Sequence, residues 1–302
     1  MEKNKIYKTI VLGSGGIKGF AQMGVLQFYY MKGLLKNISK YVGTSIGSII
    51  SLLLILGYTP YEMFVKGLGI NPIKKSDIDI KNAIKTFGVI NIKRLRKELK
   101  FLIKDKCGYI PTLKQIYEKY KKEFIVVTVN FYRKKVVYLS HINFPNLSCL
   151  DAILMSSAIP AYFPLFKYKT QSYVDGALAD PFPILYVDNN SDKILGVCIE
   201  TIIVPDDSFL TYVNTVTSIS VKYLQNFQIK YASDKCDIIH LKLGETSLTL
   251  MDNHKTKTNL FLTGFKKAIF HHKNINSTET VNFVKIKNGM KIKKNMKNFK
   301  KV

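Results

Sequence analysis

Acidic residues are scarce in this chain: 21 Asp and Glu stand against 46 Lys and Arg in 302 residues, for a formal net charge of +25. None lies between Glu2 and Glu62. A surplus of this size selects anionic partners, whether nucleic acid, phospholipid headgroups or a phosphorylated substrate, and charge alone does not choose among them. Cysteine is also sparse. Cys107, Cys149, Cys198 and Cys236 are widely spaced and form no C-x-x-C pair, which excludes a zinc-ribbon spacing and a dense disulfide framework and points to reduced thiols in a cytoplasmic setting. No secretory leader is expected, because MEKNKIYKTIVLGSGG is one short strand followed by glycines, not a basic start, apolar run and cleavage site. Long hydrophobic runs are lacking too. The longest, Ile46 to Tyr58, is too short to span a bilayer comfortably and carries Ser48 and Ser51, so it reads as a buried helix.

What is present is a 47% apolar chain, enough for one large α/β domain or two unequal ones with a proper core. Tyr7 to Leu12 reads as a buried strand, followed by GSGGIKG and an apolar-periodic helix from about Ile17 to Leu35. A second unit repeats the arrangement: a short strand ending near Gly43, the turn GTSIG, and a helix from Ile46 to Leu56. Both glycine-rich crossings fall at the carboxyl end of a strand, where open α/β sheets place their sites. From about 60 to 120 the pattern is helical and basic, with Ile92, Leu95, Leu99, Leu102 and Ile103 on one face. FIVVTVN (124–130) and VVYLS (136–140) read as a hairpin joined by the turn FYRKK. ILGVCI (194–199) and DIIHLKL (237–243) are further strands, separated by a helix near Val213 to Tyr231. From Lys285 onward the chain holds eight lysines and no acid, the composition of a solvated basic tail.

Gly43, Ser45 and Gly47 fit G-x-S-x-G, in which a sharp strand-to-helix turn holds a nucleophilic serine between glycines that let strand and helix pass closely. A small-residue turn before an apolar helix would give the same five letters. A serine nucleophile needs a base and donors for the oxyanion. In GSGGIKG, Gly15, Gly16 and Ile17 would offer backbone N–H groups at a helix N-terminus, where the dipole also favours negative charge. Two nucleotide-binding patterns compete for this loop and fail in detail. A dinucleotide fingerprint needs glycine where Lys18 stands and an acid further on, and a P-loop needs a longer loop with Ser or Thr after the lysine. A tight structural turn remains the plain alternative.

For the base, His141, His240, His254, His271 and His272 have no distinctive context. A carboxylate serves if burial and a direct hydrogen bond to the serine raise its basicity. VDGALADPFP (174–183) holds the leading candidate, Asp175, expected to project from a strand end; an ordinary Asp-Gly turn is the alternative. Asp180 is a second acid there, with the position of a helix cap before Pro181.

In this order, GSGGIKG, GTSIG, the block SSAIPAYFP (156–164) and DGA (175–177) resemble the patatin-like phospholipase family, which works with a Ser–Asp dyad and no catalytic histidine. The resemblance spans roughly the first 200 residues, and four ordered motifs make it specific. It implies an α/β fold of three layers, α/β/α, around a mostly parallel central sheet. Ser45 is then the nucleophile and Asp175 the general base. Gly15 and Gly16 fall on the oxyanion loop, and Lys18 takes the loop's basic position, where arginine is more usual, orienting substrate or anion. Ala177 replaces the second motif glycine, an accepted variant, and Pro181 stands where the family often has asparagine.

The reaction so implied is hydrolysis of an acyl ester in a phospholipid or related lipid, through an acyl-enzyme and without metal or cofactor. Residues 1–284 would form the acyl hydrolase domain, with the helical insertion at about 60–120 contributing to a lipid-facing cover, and 285–302 the basic tail. An anionic membrane surface is the expected partner, with peripheral attachment and room for an activating protein; nucleic acid is not the expected partner. The contrasting reading is a basic membrane- or nucleic-acid-binding protein on a catalytically degenerate scaffold of the same kind.

Overall fold

The computed structural model of the chain describes residues 6–70, 87–202, 209–244 and 254–275. The basic tail at 285–302 and part of the expected helical region, 71–86, lie outside the described residues. Two compact units are distinguished, Met1–Ala268 and Ile269–Val302. Of the second only 269–275 are described, and they are helical.

The first unit is built on one eight-stranded sheet in the order β5-β6-β3-β2-β1-β7-β8, with β4 paired to β3. Its strands are β1 (Thr9–Leu12), β2 (Lys40–Thr44), β3 (Glu123–Asn130), β4 (Lys135–Leu139), β5 (Phe166–Tyr168), β6 (Gln171–Asp175), β7 (Ile194–Ile202) and β8 (Cys236–Gly244). β3, β2, β1, β7 and β8 run parallel, whereas β4, β5 and β6 form the antiparallel side. The mostly parallel sheet read from the sequence is therefore observed. β1 reads TIVL without alternation and is buried at every position, as expected of a central strand covered on both faces.

Helices α1 (Gly19–Met31), α2 (Ile46–Ile55) and α3 (Pro60–Gly69) follow the first two strands. α1 is shorter than its sequence pattern. A 3₁₀ turn, Gly16–Lys18, precedes it, and it stops ahead of Gly33, whose φ of +71° is left-handed. There the Leu34 amide reaches back to the Tyr29 carbonyl at 3.0 Å and the Gly33 amide to Tyr30 at 2.9 Å, closing the helix as a left-handed cap does. Within 60–120 the described helices are α3, Lys93–Cys107 and Leu113–Tyr120.

Two helices carried no clear sequence signal, Cys149–Ser156 and His254–Ile275. The second crosses α1 at contact distance: a Cβ on Gly24 would meet the Phe261 carbonyl oxygen at 1.9 Å, and one on Gly264 the Ala21 oxygen at 1.9 Å. Asp180 caps no helix, contrary to the sequence reading. It is buried, and its carboxylate accepts from Tyr138 Oη at 2.7 Å and from the Gln228 side chain.

Candidate active site

The carboxyl ends of β1, β2 and β7 bring two loops together. In the first, strand β2 turns into α2 at Ser45, with φ 55° and ψ −124°. Those angles are costly for a residue with a side chain, so the surroundings must hold them in place. A Cβ on Gly43 would lie 2.5 Å from the Gly47 carbonyl oxygen, and one on Gly47 would lie 2.1 Å from the Leu12 oxygen. Both glycines are thus demanded by close backbone crossings, and the turn they permit lifts Ser45 to the head of α2.

Ser45 and Asp175, both nearly inaccessible to solvent, meet there: Ser45 Oγ donates to Asp175 Oδ2 at 2.7 Å. Asp175 ends β6, opposite Thr128 of β3. Its other oxygen, Oδ1, accepts from the Ala177 amide at 2.8 Å, and its own amide donates to the Ala158 carbonyl at 2.9 Å. Gly176 permits the strand to end there, since a Cβ would lie 2.3 Å from the Val127 oxygen. Burial pushes the Asp175 carboxyl up to about 7, against the smaller opposing pull of the Ala177 N–H and the Ser45 hydroxyl. A carboxylate so placed is a stronger base than one in water.

The second loop is 13–18. The Gly13 amide donates to the Val197 carbonyl, the Ser14 amide to Pro181, and Gln22 Nε2 to the Gly13 carbonyl at 2.8 Å. Pro181 therefore holds the glycine loop through its backbone. Gly16 has φ +53° with open space where a Cβ would be, so the backbone conformation itself favours glycine. Among the described residues no backbone bond engages the amides of Gly15, Gly16 or Ile17. Among the described residues they are thus open donors of the kind a helical N-terminus presents.

Among the described residues, two cavities open at Ser45. The smaller, about 530 Å³, is bounded by Gly15, Gly16, Ser45, Asp175, Thr217 and Val221. The larger, about 1020 Å³ including its open mouth, is bounded by Gly16, Ile17 and Ser45 and continues between Phe20, Leu53 and Leu99. Its walls are mostly apolar, and the charged side chains on them are Lys66 and Lys257. Lys257 is spoken for, because its Nζ donates to the carbonyls of Gly67 at 3.0 Å and Ile70 at 2.8 Å, at the end of α3. Lys18 is buried and lines neither cavity.

No histidine lines either cavity. The His141 ring stacks on Tyr117 at 3.8 Å between centroids, and His240 Nε2 lies 3.2 Å from Glu200 Oε2, with burial lowering its pKa. A residue that the sequence reading did not single out is Ser156, whose Oγ accepts from the Ser45 amide at 2.8 Å. Ser157 and Ile159 line the larger cavity. All three belong to the SSAIPAYFP block, which was legible as a motif but not as contacts.

The family model described as patatin-like phospholipase matches residues 10–188. Among curated sequences, the chain is 29% identical over 274 residues to "Probable lipid hydrolase 463L" of Invertebrate iridescent virus 6, covering 88% of this chain and 89% of that protein. It is 26% identical over 277 residues to an uncharacterized protein of Acanthamoeba polyphaga mimivirus, covering 86% and 92%. Among solved structures it resembles VipD from Legionella pneumophila, with a TM-score of 0.56 and 16% identity over 88% of this chain and 66% of that one. It also resembles the type III effector protein ExoU, with a TM-score of 0.50 and 15% identity over 89% of this chain and 53% of that one. These two likenesses concern the fold, and the chain spans about two thirds and about half of those longer chains.

Proposed function

Since the chain belongs to the patatin-like phospholipase family, we propose that it is a lipid acyl hydrolase of phospholipase A type, cleaving ester-linked acyl chains through a Ser45–Asp175 dyad and an acyl-enzyme. The observation that carries this reading is the direct 2.7 Å hydrogen bond from Ser45 Oγ to Asp175 Oδ2. Ser45 Oγ attacks the ester carbonyl carbon while Asp175 takes its proton. Negative charge on the carbonyl oxygen is met by the amides of Gly15, Gly16 and Ile17, where each well-placed donor contributes about 2.7–4 kcal/mol to the barrier reduction in comparable hydrolases. The tetrahedral intermediate collapses as Asp175 returns the proton to the leaving alcohol. Water then enters, gives its proton to Asp175 and attacks the acyl-enzyme, releasing the fatty acid and restoring Ser45.

The cavities divide the substrate. The acyl chain occupies the larger apolar one, and the glycerol and headgroup side occupies the smaller one beside Asp175. Lys18 receives no direct substrate contact in this reading, because it lines neither space; its charge acts from within the turn behind the donors. The surface partner is an anionic membrane, joined peripherally. Among the described residues no helix is long and apolar enough to cross one.

The experiment is mass spectrometry of mixed phospholipid vesicles before and after incubation with the purified chain. Free fatty acid and lysophospholipid should accumulate with wild type and not with Ser45→Ala. Equal release by both proteins, or none by either, would refute the assignment.

A further inference from the structure

The helix Phe209–Tyr231 has its polarity reversed. Beside the partly buried Val221 and Ile229, its inward side is anchored by polar side chains: Asn214 Nδ2 donates to Tyr162 Oη at 2.8 Å, Gln225 Nε2 to the Ile199 carbonyl at 2.9 Å, and Gln228 Nε2 to Asp180. Gln225 and Gln228 are buried. Its outward side carries an apolar stripe beside the exposed Lys222, Asn226 and Lys230. Tyr212, Val216, Ile219, Tyr223, Phe227 and Tyr231 are all exposed, Tyr223 by 74%. Steps of three and four place them along one face, a stripe about 28 Å long at 1.5 Å per residue. A helix packed on a soluble domain normally shows the opposite arrangement, and a contiguous apolar stripe of this size marks an interaction surface.

We propose that this outward face is the surface on which the protein docks to an anionic lipid bilayer. Three observations select a bilayer as the occupant. The segment 209–231 contains no Asp or Glu but does contain Lys222 and Lys230, so its charge complements anionic headgroups. Half of the stripe is tyrosine, a side chain with an apolar ring and a polar tip that suits the headgroup boundary. Finally, Thr217 and Val221 on the inward side of the same helix line the smaller cavity beside Asp175. A membrane seated on the outer face therefore lies one helix diameter, about 10 Å, from the cavity lining. The inference deepens the proposed function by assigning where the lipid surface is met, yet the docking itself requires no chemistry at Ser45.

The chain contains no tryptophan, so a single introduced one reports on its own position. In a Ser45→Ala background, which keeps hydrolysis out of the readout, Tyr223→Trp should shift its emission to the blue when phosphatidylcholine–phosphatidylserine vesicles are added. Met31→Trp, at an exposed site on the far end of α1, should not shift. The triple variant Ile219→Ser, Tyr223→Ser, Phe227→Ser should sediment with these vesicles with an affinity lower by on the order of tenfold or more, while melting at the same temperature. Added salt should weaken wild-type binding. Undiminished vesicle binding by the triple variant, an unshifted Tyr223→Trp reporter, or equal shifts at both positions would overturn the proposal. Self-association without vesicles that the triple variant abolishes would also overturn it, giving the face to a second copy of the chain. Failure of lipid hydrolysis would count against the Ser45–Asp175 reading alone.

Discussion

The Ser156 hydroxyl accepts a hydrogen bond from the Ser45 amide at 2.8 Å, with both residues buried. This ties the strained turn to the helix Cys149–Ser156 and thereby fixes where Ser45 Oγ points. Ser156→Ala leaves a buried N–H without its acceptor, at a cost of about 1–3 kcal/mol. The expected outcome is a lower melting temperature together with a fall in kcat that exceeds any change in KM. Ser156→Thr, which keeps the acceptor, should recover much of both losses. Full kcat in a folded Ser156→Ala variant would remove Ser156 from the positioning of the nucleophile.

Asp175 sets a pH dependence for both activity and stability. Burial raises its pKa from 3.8 to about 7 in the folded protein, so kcat/KM should rise with pH up to about 7 as the base form appears. The stability effect has the opposite direction. Between 3.8 and about 7 the folded state holds a proton that the unfolded chain has released, and above about 7 the folded state carries a buried charge. Asp175→Asn removes that burden, by at most about 4 kcal/mol at 1.36 kcal/mol per pK unit. Its melting temperature should exceed that of wild type by more at pH 8 than at pH 4, as differential scanning calorimetry would show.

Gly16→Val should damage turnover more than binding. No atom blocks a Cβ at this site, but φ +53° does not suit a β-branched residue. The backbone must therefore shift, moving the amides that meet the oxyanion. A loss of about 100- to 1000-fold in kcat is expected, with KM nearly constant. An unchanged kcat would take this loop out of the mechanism.

Leu53→Trp should narrow the larger cavity. Leu53 is buried on its wall, and overpacking there costs about 1–3 kcal/mol of stability. The readable consequence is selectivity: hydrolysis of long-chain esters should decline relative to short-chain ones in a competition assay. An unaltered chain-length profile would move the acyl chain elsewhere.

Much of this architecture is legible in the sequence because its backbone crossings demand glycine. Gly43, Gly47 and Gly176 each sit where a Cβ would strike backbone atoms of a neighbouring element, so the motifs record steric requirements at the site itself. The unalternating TIVL and ILGVCI segments betray strands covered on both faces in the same way. What was hidden depends on long-range partners. Ser156 becomes a positioning residue only once the helix Cys149–Ser156 is set beside the turn. Asp180 resembles a cap until β4 and the helix Phe209–Tyr231 bring Tyr138 and Gln228 to it. The same helix was legible as an element, but its reversed polarity was not, because periodicity reveals a stripe without telling which side faces the sheet.

The central claim is that Asp175 activates Ser45, and its most direct measurement is peptide mapping of the adduct formed with a fluorophosphonate probe. Wild-type protein should carry the label on Ser45, and a folded Asp175→Asn variant should label far more slowly. Absence of label on Ser45 in the wild type, or undiminished labelling in Asp175→Asn, would contradict the account.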